Sequence, residues 1–269
     1  MRTLILRGAL AGLALLGSGA TARLVAQDPG VTDSIRVDPV PLADTLPSLR
    51  YARPTNIKLW QVGIGLAAAG LTLETLDAPV RRWAQRQRSS TTNDVANVFR
   101  QGGEPQVYLG VGGLVAITGL VTHNDNVTRS GGRLLASVVL AQALTQASKR
   151  VLGRERPFVS GDEKQFHLFS GGDASMPSGH ATAAFALATA ASNELHSTPA
   201  SIAFYTVAAG TAWSRLNDDQ HWLSDVLVGG AIGVVSAQFI YGKWTIFGIQ
   251  PPRFLLSPRG ASIGWSGTF

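Results

Sequence analysis

Lys149-Arg150-Val151-Leu152-Gly153-Arg154-Glu155-Arg156-Pro157 sets four cations into eight residues directly after an alanine-rich apolar run. Two further polar clusters follow: Pro177-Ser178-Gly179-His180, and Ser214-Arg215 with His221 and Asp225 behind it. Each cluster falls at the end of an apolar run, which places it at a helix terminus rather than inside a helix. Around them the sequence predicts helices over 57–76, 106–122, 133–148, 179–195, 199–213 and 218–241. The expected fold is all-α, a single bundle of about six helices with the three clusters gathered at one end.

The spacing K-x6-R-P, P-S-G-H and S-R-x5-H-x3-D resembles the three-part signature of the type 2 phosphatidic acid phosphatase (PAP2) and vanadium haloperoxidase superfamily. All positions of that signature are filled, and the apolar helices around it cover roughly residues 57–242. The residue chemistry agrees with phosphoryl transfer, whose transition state spreads negative charge over equatorial oxygens and needs fixed donors around them. Lys149, Arg156 and Arg215 supply cations, the two arginines with forks suited to bidentate contact. Ser178 adds a hydroxyl, and Gly179 at a helix start offers an unpaired backbone N–H with room for close approach. His221 and Asp225 stand four apart on an expected helix, so one carboxylate would accept the imidazole Nδ1–H and orient the ring.

The resemblance implies particular roles. His221 would be the nucleophile that forms a phosphohistidine, Asp225 its orienting partner, and His180 the general acid that protonates the leaving oxygen and later activates water. No metal and no organic cofactor enter this scheme, and the histidines lack the compact cysteine or carboxylate company of a metal site. Taken singly the residues have blander readings: Lys149 and Arg150 complement a helix dipole, Ser178 caps a helix, and His221 with Asp225 forms a surface pair. Three such clusters in order outweigh those readings.

Composition narrows the setting. Only 15% of the residues are charged, against about 25% in an average soluble domain, and 45% are apolar. The net charge of +6 suits anionic head groups or phosphorylated substrates. Nucleic acid is a poor fit, because the cations sit with the phosphatase-like motifs and no aromatic platform interleaves them. With no cysteine, the chain has no thiol chemistry.

In chain order, residues 1–26 have the basic, apolar and small-residue order of a signal peptide, with cleavage after Ala22 or Ala26, or of an uncleaved N-terminal anchor. Residues 27–56 are a polar, proline-dotted extended lead-in. The arginines at 81, 82, 86, 88 and 100 read as a solvated face or as a helix along a lipid surface. Residues 158–176 read as a loop lidding the site, with His167 inside it, and Arg150 and Arg154 as flanking cations that steer anions. Residues 243–269 are expected to be a non-helical tail.

The expected activity is hydrolysis of a lipid phosphate monoester or diphosphate by an exported, membrane-associated protein with a periplasm-facing site. Alternatives are a soluble periplasmic acid phosphatase, a vanadate-dependent haloperoxidase, and a non-catalytic lipid-phosphate-binding scaffold. Most of the apolar runs are shorter than the ~20 residues of a membrane span. Full integration and a peripheral helical bundle therefore both remain open.

Overall fold

The computed structural model describes residues 54–170, 174–251, 253–257 and 260–264. The expected leader and most of the lead-in lie outside these residues. The long helices are α1 (Leu59–Thr75), α4 (Pro105–Val121), α5 (Asp125–Leu152), α7 (Gly179–Leu195), α8 (Thr198–Asn217) and α9 (Leu223–Ile240). Between them run the shorter α2 (Asp77–Gln87), α3 (Ser90–Arg100) and α6 (Pro157–Ser160). The all-α bundle expected from the apolar runs is therefore present, with short helices added to its six long ones.

Alanine makes α7 the centre. Ala181, Ala183, Ala184, Ala186, Ala188 and Ala190 are all buried, and side chains this small let neighbouring backbones approach closely. On one side Ala183 and Ala186 pack with Val138 and Ala141 of α5, and Tyr108, Leu187 and Ile232 close the cluster. On another, Ala184 and Ala188 meet Ala208 of α8. Helix α9 crosses α7 at Gly233, where an added Cβ would sit 2.4 Å from the Thr182 carbonyl oxygen and 2.8 Å from the Ala186 nitrogen. The α4–α5 crossing is as tight: a Cβ at Gly131 would lie 2.2 Å from the Ala116 nitrogen.

Local sequence sets the ends of α5, which runs well beyond the expected 133–148. The Asn124 side chain accepts the N–H groups of Asn126 and Val127 at 3.1 and 3.3 Å, starting the helix eight residues early. Gly153 stops it in a left-handed conformation, φ +58°, where a Cβ would strike the His167 carbonyl oxygen. Lys149 and Arg150 thus occupy the last turn, and the chain turns at once into the Arg154–Pro157 segment.

Two other expectations change, at the last helix and at Arg81. The last helix begins at Leu223 rather than near 218, since α8 continues to Asn217 and Asp219 adopts φ +58° in the turn. The described part of the tail is non-helical as expected and forms strands: β2 (Trp244–Ile246) pairs in parallel with β1 (Thr55–Ile57), and β3 (Arg253–Ser257) pairs antiparallel with β4 (Gly260–Gly264). The arginine-bearing stretch folds as α2 and α3, and Arg81 faces inward, bonded to Asp219 at 2.7 and 2.8 Å and stacked over Trp222.

Helix α1 buries no residue, and Leu59, Trp60, Ile64, Leu66 and Leu71 are exposed along it; α4 likewise exposes Leu114, Ile117 and Val121. Among the described residues α9 is long and apolar enough to cross a membrane alone. Counting the bent pairs α1–α2 (57°) and α3–α4 (45°) raises the number to three.

Gly233→Val tests the close crossing. The added branches meet backbone atoms of α7, and overpacking of this kind costs about 1–3 kcal/mol or more. A clear fall in the thermal unfolding midpoint in detergent is expected; an unchanged midpoint would mean that α7 and α9 are not in backbone contact.

Candidate active site

The three clusters are tied to one another by direct hydrogen bonds. Lys149 Nζ donates to the carbonyl oxygens of Ala174 and Ser175, just ahead of the Pro177–His180 segment. The Ser175 N–H bonds the Arg154 carbonyl at 2.7 Å, and its hydroxyl bonds the Glu155 carbonyl at 2.9 Å. Arg156 Nη1 donates to Gln220 Oε1 at 2.8 Å, the neighbour of His221, and Trp222 Nε1 donates to the Glu155 carbonyl at 3.1 Å. The Ser178 N–H closes the ring on the Asp225 carbonyl at 3.0 Å. Lys149 from the end of α5, Arg156 from the following turn, Ser178 to His180 from the start of α7, Arg215 from the end of α8, and His221 and Asp225 from the start of α9 thus lie together.

Beneath them is a buried ionic network that the sequence reading missed. Arg154 Nη2 meets Asp77 Oδ2 at 2.7 Å and its Nη1 meets Asp225 Oδ1 at 2.7 Å, with all three side chains inaccessible to solvent. Ser224 joins both ends, accepting from Arg154 Nη1 and donating to Asp77 Oδ2 at 2.6 Å, while its backbone N–H bonds Asp77 Oδ1 at 2.8 Å. Arg154 is therefore a structural cation, not an anion-steering one. Asp225 Oδ2 takes the Trp222 N–H at 2.9 Å, an N-terminal cap for α9.

This geometry alters the expected histidine pair. His221 precedes α9 instead of lying on it. Its Nδ1 stands 3.6 Å from Asp225 Oδ2, an ion-pair rather than a hydrogen-bond distance. Burial, reinforced by the nearby Lys149 and Arg156 charges and only partly offset by Asp225, lowers His221 from the ordinary imidazole value to about 4. At neutral pH the ring is uncharged.

His180 sits in the first turn of α7 with Nε2 3.3 Å from Glu104 Oε1. Burial first, then the Arg215 charge, pulls its proton affinity down, while Glu104 pushes it up. Arg215 is 6% exposed and pairs with Asp218 at 3.1 Å. Ser178 is at the N-cap position, but its hydroxyl does not cap. Instead Ser178 Oγ, Arg215 Nε and His221 Nδ1 are sealed from solvent with no hydrogen-bond partner among the described residues. An unpaired buried polar group costs about 1–3 kcal/mol. Ser178 Oγ and Arg215 Nε, from two separate clusters, suit a polar ligand that bonds both, while His221 Nδ1 faces Asp225.

His167 lies away on the 158–170 segment, half exposed and bonded to Glu155 at 2.7 Å. Among the described residues no three His, Cys, Asp or Glu side chains are grouped to hold a metal ion. Asp77 and Glu104 left faint traces in the sequence: one is an acid just past an apolar run, the other an acid immediately before the proline that opens α4.

Fold and site together define an all-helical bundle whose helix ends carry two histidines among basic side chains. Residues 130–246 match the PAP2 superfamily, the family that the three motifs resemble. The lipid A 1-phosphatase of Porphyromonas gingivalis is 37% identical over 120 residues, 42% of this chain and 24% of that protein. The chain thus spans about a quarter of the length of the curated relative it matches. Among solved structures, a transmembrane PAP2-type phosphatidylglycerolphosphate phosphatase from Bacillus subtilis aligns with a TM-score of 0.56 at 20% identity, covering 67% of this chain and 92% of that one. That likeness is one of fold. Aquifex aeolicus LpxE aligns with a TM-score of 0.49 at 19% identity, covering 62% and 95%.

Arg154→Met tests the buried network. It leaves two carboxylates buried without their cation, a loss of about 3–5 kcal/mol. Lys164→Met, which removes an exposed pair with Glu74, should leave the midpoint nearly unchanged. Unfolding midpoints should separate the two variants widely; equal midpoints would contradict the ionic network.

Proposed function

We propose that the chain is a PAP2-type phosphatase that hydrolyses the phosphate monoester or diphosphate of a lipid through a phosphohistidine. The observation that carries this reading is the neutral, buried His221 beside Lys149, Arg156 and Asp225, with Ser178 Oγ and Arg215 Nε unpaired nearby. Phosphate oxygens would accept from Lys149, Arg156, Arg215, Ser178 and the Gly179 N–H. His221 attacks phosphorus through Nε2 as the bond to the leaving oxygen breaks, and His180 gives that oxygen its proton. The charge that develops on the His221 ring is stabilised by Asp225, whose own position is fixed by Arg154. In the second step His180 takes a proton from water, the water oxygen bonds phosphorus, and the bond to His221 breaks.

Apolar outer faces on α1 and α4 and the apolar length of α9 favour a lipid substrate at a membrane over a soluble ester. A lipid A phosphate and a phosphatidylglycerol phosphate, the substrates in the names of the similar proteins, are the first candidates. We assign the protein to a membrane, with its site facing the periplasm as the family resemblance implies.

His221→Ala should reduce phosphate release from a panel of lipid and soluble phosphate esters by several orders of magnitude, as loss of a nucleophile does elsewhere, and should abolish trapping of labelled phosphoenzyme. A variant as active as the parent would eliminate the nucleophile assignment. Preference for soluble esters across the panel would favour an acid phosphatase instead.

The pH profile gives an independent check. His221 loses its lone pair only when protonated, and its affinity for the proton is lowered to about 4. After correction for substrate ionisation near pH 6, kcat/KM should hold down to about pH 4 before falling. A fall centred near 6.5, the value of an ordinary imidazole, would contradict this environment.

A further inference from the structure

Glu104 lies outside the segment matched by the family and belongs to none of the three motifs. Its place is nevertheless closely fixed. It caps the start of α4, its N–H bonding the Gln101 carbonyl at 3.1 Å and its own carbonyl accepting from Val107 at 3.0 Å. The residue before it, Gly103, packs so tightly on α7 that an added Cβ would fall 2.6 Å from His180 Cβ. The α3–α4 junction is thus pressed against His180, and Glu104 Oε1 reaches Nε2 at 3.3 Å, the same oxygen lying 3.7 Å from Arg100 Nε.

We infer that Glu104 is a positioning residue for His180: it holds the Nε2–H, and so leaves Nδ1 as the atom that exchanges protons with the reacting oxygens. Nδ1 has no hydrogen-bond partner among the described residues and, unlike His221 Nδ1, is not among the polar atoms sealed from solvent. This inference rests on the acid role proposed above for His180. Carboxylate and imidazole would then act as a second dyad, complementary to His221 and Asp225. His221 must be neutral to attack, whereas His180 must begin protonated.

The charged groups facing His180 are Arg215 from α8, Arg100 from α3 and Glu104 at the start of α4. Both arginines and burial oppose the imidazolium, and Glu104 is the group that favours it. In the first step the Nδ1 proton passes to the leaving oxygen as the P–O bond breaks. In the second, Nδ1 regains a proton from water as the new P–O bond forms and the P–N bond to His221 breaks.

Leaving-group dependence tests this. kcat/KM covers the steps through release of the first product, and an alkyl phosphate needs a proton there far more than p-nitrophenyl phosphate does. Glu104→Gln keeps the shape and removes the charge. With it, kcat/KM for an alkyl phosphate should fall about 10- to 100-fold, within the range of general acid catalysis, and much less for the nitrophenyl ester. The alkaline limb for the alkyl ester should move to lower pH by about one unit, as expected for loss of a neighbouring carboxylate.

His180→Ala, measured alongside, separates the two claims. If it shows the selective alkyl loss and Glu104→Gln instead loses both esters equally with an unmoved alkaline limb, Glu104 is merely structural and the inference fails alone. If His180→Ala itself shows no selectivity, the acid assignment is wrong and the dyad falls with it. Unfolding midpoints of both variants identify any loss that comes from misfolding.

Discussion

Arg154 is the point on which the rest of the structure is hung. Its guanidinium spans from Asp77 at the start of α2 to Asp225 in the first turn of α9, with no side chain of the three open to water. A charge in that position is tolerated only because each donor is matched: to two carboxylates, to the Ser224 hydroxyl and to the Glu163 carbonyl. Removing one partner exposes the full desolvation cost of the others. The planar fork of arginine fits this double bridge, and the single ammonium of lysine would not.

Function inherits that rigidity. The Asp225 carboxylate is divided between tasks, Oδ1 toward Arg154 and Oδ2 toward the Trp222 N–H, with His221 3.6 Å away. Trp222 is itself fixed by its bond to Glu155 and lies under both Arg81 and Arg154. A ring next to such a residue is held by its surroundings more than by its one carboxylate neighbour. The two histidines differ for the same reason. His221 is enclosed among Asp225, Lys149 and Arg156, whereas His180 stands at a partly open helix start among Glu104, Arg215 and Arg100.

Much of this was legible in the sequence. The K-x6-R-P, P-S-G-H and S-R-x5-H-x3-D spacings located the three clusters but neither Asp77 nor Glu104, and the apolar runs located the six long helices. Both rest on local signals: periodicity, and clusters of charge where apolar runs end. Asn124 and Gly153 as helix boundaries, and the continuation of α8 through Arg215 to Asn217, needed the structure. The helical spacing of His221 and Asp225 misled, because the Asp225 carboxylate caps the Trp222 N–H and so starts the helix after His221.

The sequence by itself determined the fold class, the family resemblance and the residue types able to meet a phosphate. Tertiary structure alone decided that Arg154 is a buried bridge, that Ser178 leaves its hydroxyl unpaired, and that Glu104 stands against His180. The Arg154 bridge and the Glu104–His180 contact are pairings across 71, 77 and 76 residues of chain. No local periodicity encodes them, because a partner so distant is chosen by how closely the alanine- and glycine-lined helices approach.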